Sequence, residues 1–133
     1  MAKATLLQSE SAILWFYEDK GILHHKMKGY PPAGELKKVL LKAIETLENH
    51  HVTKYLSDNS EATVFHRSDA DWAGSIWAPR AVKAGFKSWA VIKPATPLGG
   101  MQLENYIEVY RRLGVDAKSF SSAAEALLWL EKV

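Results

Sequence analysis

Hydrophobic and polar positions follow two rhythms along this chain, one of strand type and one of helical type. Ala12 to Glu18 passes almost unbroken through Ile13, Leu14, Trp15, Phe16 and Tyr17, a β-branched and aromatic stretch that favours an extended backbone. Asp19-Lys20-Gly21 carries a turn signal and Ile22 to Lys28 makes a second short run, so the two read as a β-hairpin. Gly29-Tyr30-Pro31-Pro32 ends that hairpin and leads into a helix, since proline is tolerated in a first helical turn. Leu36, Val39, Leu40, Ala43, Ile44 and Leu47 then recur at helical spacing, with Glu35, Lys38, Lys42, Glu45 and Glu48 on the polar face. Asn49-His50-His51 fall at the expected helix end, where positive charge is favoured.

The remainder alternates. Val52 to Leu56 predicts a strand, followed by the polar loop Ser57-Asp58-Asn59-Ser60 and a brief extension at Thr63-Val64-Phe65. Asp69 or Asp71 is placed to cap a helix carrying Trp72, Ile76 and Trp77. Pro79 breaks or restarts that helix, and Gly85 terminates it. Ser88 to Ile92 has the composition of a strand buried on both faces, closed by Lys93-Pro94. Pro97-Leu98-Gly99-Gly100 reads as a loop, and Leu103, Ile107, Tyr110 and Leu113 as a helix ending at Gly114. Val115 to Phe120 is a short strand, and Ser122-Ala123-Ala124-Glu125 a capping box that launches a last helix through Leu127, Leu128 and Leu130. The order ββαβαβαβα predicts an α/β fold with a mixed, mostly parallel sheet.

A chain of 133 residues suits one domain, drawn here over residues 1–133. Lys and Arg number 17 against 15 Asp and Glu, interspersed, for a net charge of +2. Lys37-Lys38, Lys26 with Lys28, and Arg111-Arg112 are pairs rather than the basic stripe that a nucleic-acid partner needs. The absence of cysteine removes disulfides, thiolate metal sites and cysteine nucleophiles together. The first residues lack a secretory core, and Ala12 to Tyr17 is too short to cross a bilayer. These features predict a cytoplasmic protein with no integral membrane segment.

Candidate chemistry is sparse. Ligands of open α/β sheets sit beyond the carboxyl ends of the parallel strands. Ser57, Asp58 and Asn59 follow one predicted strand, Lys93 and Thr96 another, and Asp69, Asp71 and Trp72 open the second helix. Together they form a candidate ligand or partner site; the same residue types also supply ordinary turn and cap hydrogen bonds. His24-His25 point to opposite faces of a strand, His50-His51 sit at a helix end and His66 stands alone, so no metal site and no cofactor is expected. Ser75, in Ala-Gly-Ser-Ile-Trp, lacks the second glycine of a nucleophile elbow. Gly99-Gly100 lies outside any dinucleotide or Walker-type pattern. No enzyme signature remains. The tryptophans, Trp15, Trp72, Trp77, Trp89 and Trp129, are expected mostly in the core, with Trp72 or Trp77 as the candidate for exposure.

Several stretches resemble a bacterial group of small SpoIIAA-like proteins, related to STAS domains (sulfate transporter and anti-sigma factor antagonist). They are Asp71-Trp72, Trp77-Ala78-Pro79-Arg80-Ala81, Gly85-Phe86-Lys87, Ala90-Val91-Ile92, Gly114-Val115, Phe120 and Glu125-Ala126-Leu127-Leu128-Trp129-Leu130. The resemblance covers roughly residues 50 to 131 and implies a four- or five-stranded mixed sheet with helices mainly on one face. It further implies a non-enzymatic interaction or regulatory module in bacterial signalling, with an unidentified protein partner or a second copy of itself. The alternative it leaves is a small-molecule or lipid carrier with a pocket between sheet and helices. Anti-sigma factor antagonists carry a phosphorylatable serine in an Asp-Ser-Ser-Gly-type loop. Here the comparable stretch is His66-Arg67-Ser68-Asp69-Ala70-Asp71-Trp72, where Ser68 precedes its aspartate and no Ser-Gly pair follows. Ser68 is thus a candidate by position only.

Overall fold

The computed structural model describes residues 3–133. Three strands come first: β1 (Ala4–Gln8), β2 (Ala12–Tyr17) and β3 (Ile22–Gly29). Helix α1 (Glu35–His50) leads to β4 (Lys54–Ala62), and α2 (Arg67–Trp72) runs through a π-helical turn (Ala73–Trp77) into α3 (Ala78–Lys83). Strand β5 (Ser88–Ile92), helix α4 (Pro97–Arg112), strand β6 (Asp116–Ser119) and helix α5 (Ala123–Lys132) complete the order. None of these helices is long and apolar enough to cross a membrane.

All six strands join one sheet in sequential order. β1, β2 and β3 pair antiparallel, whereas β3, β4, β5 and β6 pair parallel. Each parallel step needs a crossover, and crossovers of one hand that all step the same way lay their helices on one face. Helices α1 to α4 accordingly cover a core built on Leu14, Leu23, Val39, Leu47, Tyr55, Trp77, Val91 and Ile107. Helix α5 follows the last strand and is free to turn back. It covers the opposite face, where Ala126 and Leu130 pack on Ile22, Leu56, Ala90 and Ile92. With helices on both sides, every residue of β5 is buried, which is why its sequence runs apolar without alternation.

Three expectations about local structure need correction. Strand β1 was not anticipated, because it is a short, bulged edge strand whose positions are exposed or half-buried and therefore show no alternation. Ser57 to Ser60 are not a loop: β4 continues through them to Ala62, paired with β3 as far as Gly29. Burial of both neighbours lets polar residues stay extended where local propensity favours a turn. Pro97 to Gly100 are likewise helical, forming the first turn of α4, with Thr96 as N-cap accepting from the Gly99 amide at 3.1 Å. Pro79 behaves as anticipated, in an unforeseen way. Its ring crowds the carbonyl four residues back, and the chain widens into the π turn just before it instead of breaking.

Gly99 shows how tightly α4 is docked. A Cβ there would overlap the carbonyl oxygen of Thr63 and stand 2.6 Å from the Thr96 hydroxyl, whereas at Gly100 the nearest atom would be 3.8 Å away. Gly99→Ala should therefore destabilise the protein by about 1–3 kcal/mol through overpacking. Gly100→Ala should be neutral or stabilising by up to about 1 kcal/mol through helix propensity. Urea denaturation of the two variants side by side checks this.

Candidate functional site

Alternation along β4 decides which polar groups meet. Tyr55, Ser57 and Asn59 point to the helix-covered face, while Leu56 and Asp58 lie on the α5 side. β3 stands in parallel register with β4, His25 opposite Ser57 and His24 opposite Leu56, so the two histidines divide between faces in the same way. As the sequence indicated, they cannot act together.

On the helix-covered face the side chains enclose a cavity of about 60 Å³. Its floor carries His25, Tyr55, Ser57, Asn59 and Trp89, and its roof includes Ala73 and Trp77 of the π turn with Tyr106 and Tyr110 of α4. The polar groups of this floor are mostly paired. The Tyr55 hydroxyl and His25 Nδ1 are 2.8 Å apart, and Trp89 Nε1 donates to Ser57 Oγ at 2.9 Å. Trp77 Nε1 donates to the Leu40 carbonyl at 2.7 Å, and Tyr110 donates to the carbonyl of Ala73 at 3.3 Å. Asn59 is the exception: it is 2% exposed and its Oδ1 accepts no hydrogen bond.

Burial dominates the electrostatics. It depresses His25 to about 3, assisted by the neighbouring His24, and raises the Tyr55 phenol well above its usual value. An imidazole so weakly basic is a poor general base at neutral pH. No carboxylate lines the cavity, and Ser57 already receives the Trp89 indole. His25 and Ser57 are adjacent without forming a nucleophile–base pair. An acyl chain does not fit either, since 60 Å³ corresponds to roughly two water molecules of liquid volume.

The candidate residues read from the sequence divide into three groups. Ser57 and Asn59 reach the cavity. Asp58 is buried on the other face, accepting from the Ser60 amide at 3.0 Å and its hydroxyl at 2.7 Å. Neither Asp69 nor Asp71 caps α2, whose N-cap is His66. The buried Asp69 instead accepts from the Gly34 amide at 2.8 Å, tying the start of α1 to α2. Ser68 and Asp71 are exposed, Asp71 facing Arg67 at 3.6 Å. Trp72 is half-buried beneath the Lys37 ammonium, 5.2 Å from the ring centre, while Trp77 is in the core. Lys93 pairs with Glu104 at the rim. His25 was missed as a cavity residue, although its position on a strand beside the predicted site was the available signal.

Around the carboxyl ends of the strands lie further groups that the sequence did not single out. Tyr30, directly after β3, stacks on His66 with ring centres 4.7 Å apart. Leu98 and Met101, in the first turns of α4, are 66% and 64% exposed. The same corner is tied together by Thr96 Oγ1 donating to the Thr63 carbonyl and by the Gln102 amide, which bonds both the N–H and the C=O of Phe65.

No family model matches the sequence, and no curated protein matches it. The structure is similar to the crystal structure of an uncharacterized protein of the DUF3478 family, described as having a SpoIIAA-like fold, from Shewanella loihica PV-4. The two share 17% identity at a TM-score of 0.51, over 97% of this chain and 92% of the other. The fold is therefore SpoIIAA-like, an α/β architecture with a mixed sheet, and the resemblance noted in the sequence holds at the level of fold.

Both strand histidines are depressed, His24 to about 4 and His25 to about 3, in each case chiefly by burial. The unfolded chain then binds more protons than the native one below the ordinary imidazole value of about 6.5. Their contribution to stability is complete above that pH and is lost as pH falls through the window towards 4 and then 3. Each imidazole should add a slope of up to about 1.4 kcal/mol per pH unit. His25→Gln should flatten the acid limb relative to wild type in urea titrations stepped from pH 7 to 4.

Proposed function

We propose that this chain is a non-enzymatic, STAS-like interaction or regulatory module that meets a protein partner at the carboxyl end of its parallel strands. One observation carries the reading. Large apolar side chains, Tyr30, Leu98 and Met101, are exposed at the same end of the sheet as Ser68, Asp71 and Trp72. Single exposed apolar residues are unremarkable, but several sharing one corner with polar groups around them suit a recognition surface. The SpoIIAA-like architecture of the structural neighbour supports it, because that fold places the start of the second helix at this edge. The lack of a base–nucleophile pair in the cavity favours binding over catalysis. Ser68, in the first turn of α2, is the position at which added negative charge would alter the surface, since anions are favoured at a helix start.

Because these side chains are exposed, Leu98→Lys with Met101→Lys should change unfolding stability by no more than about 0.5 kcal/mol per site. The double variant, and separately Trp72→Ala, should lose a partner that the wild-type protein captures by cross-linking in cells of its own source. Ser68→Glu should weaken the same capture. Undiminished capture by both the lysine double variant and Trp72→Ala would overturn the assignment of this surface. Capture of only a second copy of the chain would identify the partner as itself.

A further inference from the structure

The cavity beneath the π turn has features that neither packing nor the interaction reading explains, and they converge on one residue. Asn59 is buried among aromatic rings with its Oδ1 unpaired, although a buried polar atom left without a partner costs about 1–3 kcal/mol. An apolar side chain of the same shape would avoid that cost. Two residues earlier on the same face, Ser57 uses its oxygen to accept from Trp89 and keeps its own O–H to donate. Overhead, the α2–α3 helix departs from regular geometry at Ala73–Trp77, both ends of which line the same space, and such turns are frequent where helices meet ligands.

We propose that this cavity binds a small uncharged planar group carrying a hydrogen-bond donor and acceptor on neighbouring atoms, of the carboxamide or azole type. Asn59 and the Ser57 hydroxyl recognise it. The argument is chemical. Ser57 offers a donor and Asn59 an acceptor, from positions i and i+2 of one strand whose Cα atoms are about 7 Å apart, a span that suits a group presenting both functions side by side. Aromatic faces from Trp77, Trp89 and Tyr110 enclose a flat occupant.

Charge is excluded, because none of the lining residues is Asp, Glu, Lys or Arg and the single histidine is held neutral. An ion placed there would lose its hydration without gaining a counter-charge. Size is limited as well. A benzene-sized occupant fills about 150 Å³, so 60 Å³ admits a group of only a few heavy atoms. Such a group is either a whole small molecule or the end of a longer one. Every lining residue is buried except Tyr106, which is partly exposed and packs its ring against Gly74. Tyr106 therefore stands between the cavity and solvent and forms its door.

The test uses the full chain and defined probes: acetamide and pyrazole as neutral groups, acetate and ammonium as charged ones. The indole N–H resonances of Trp77 and Trp89, followed by NMR, report occupancy. Saturable shifts with acetamide or pyrazole, absent with both ions, are expected. Asn59→Leu removes the unpaired acceptor while keeping the volume. It should weaken binding by at least about tenfold yet leave the melting temperature equal or higher, since an unsatisfied polar group is replaced by an apolar one. A purely structural role for Asn59 predicts the opposite change in melting temperature. Tyr106→Ala should speed exchange of the probe without abolishing its binding. The proposal is overturned if neither neutral probe gives saturable shifts in wild type, if acetate binds as well as acetamide, or if Asn59→Leu binds both probes unchanged. It does not rest on the interaction surface: loss of partner capture in the α4 variants would leave probe binding intact, and failure of the probes would leave that surface standing.

Discussion

Strand β4 is the constraint on which the rest of the structure depends. It pairs in parallel with β3 on one side and β5 on the other, and it is covered by helices on both faces. Its alternation assigns Tyr55, Ser57 and Asn59 to one layer and Leu56 and Asp58 to the other. A slip of one residue would reverse that assignment, placing Asp58 against the aromatic core and Tyr55 against α5. The crossovers that flank β4 then determine where the remaining helices lie, and with them the roof of the cavity.

Above that strand the core is built from aromatic rings, and each brings a polar atom that must be satisfied. Trp77 finds a backbone carbonyl of α1, Trp89 finds Ser57, Tyr55 finds His25 and Tyr110 finds the carbonyl of Ala73. These bonds connect α1, the π turn, α4 and the sheet, so the large rings fix orientation as well as burying area. The π turn belongs to this arrangement. It accommodates Pro79, and the Ala73 carbonyl receives both the Ala78 amide and the Tyr110 hydroxyl. Asn59 and His24 Nε2 are the places where the accounting fails among the described residues, and only Asn59 lies in the cavity.

A SpoIIAA-like architecture settles how the chain is wound and leaves the task it performs to particular side chains, since one fold hosts many functions. Here the outer corner and the inner cavity are chemically different. The corner presents Tyr30, Leu98 and Met101 to solvent beside the charged start of α2. The cavity is closed, uncharged and aromatic. Surface recognition and enclosure of a small group use different residues, so the two can vary independently.

The sequence by itself determined those features that a periodic pattern writes along the chain. The hairpin of β2 and β3, the amphipathic α1, the doubly buried β5, the capped α5 and the mixed sheet they imply could all be read there, because each depends on neighbours a few residues away. The serine at position 122 does cap α5, accepting from the Glu125 amide at 3.2 Å. Tertiary structure decided the rest. Ser57-Asp58-Asn59 have the local chemistry of a turn, and only two flanking strands hold them extended. Gly99 looks like a loop glycine, and only the approach of Thr63 explains why no larger residue fits. Asp69 looks like a cap for its own helix but serves the start of another. In each case the deciding contact comes from residues 30 or more positions away, or from a neighbouring strand. A short-range pattern carries no record of such partners.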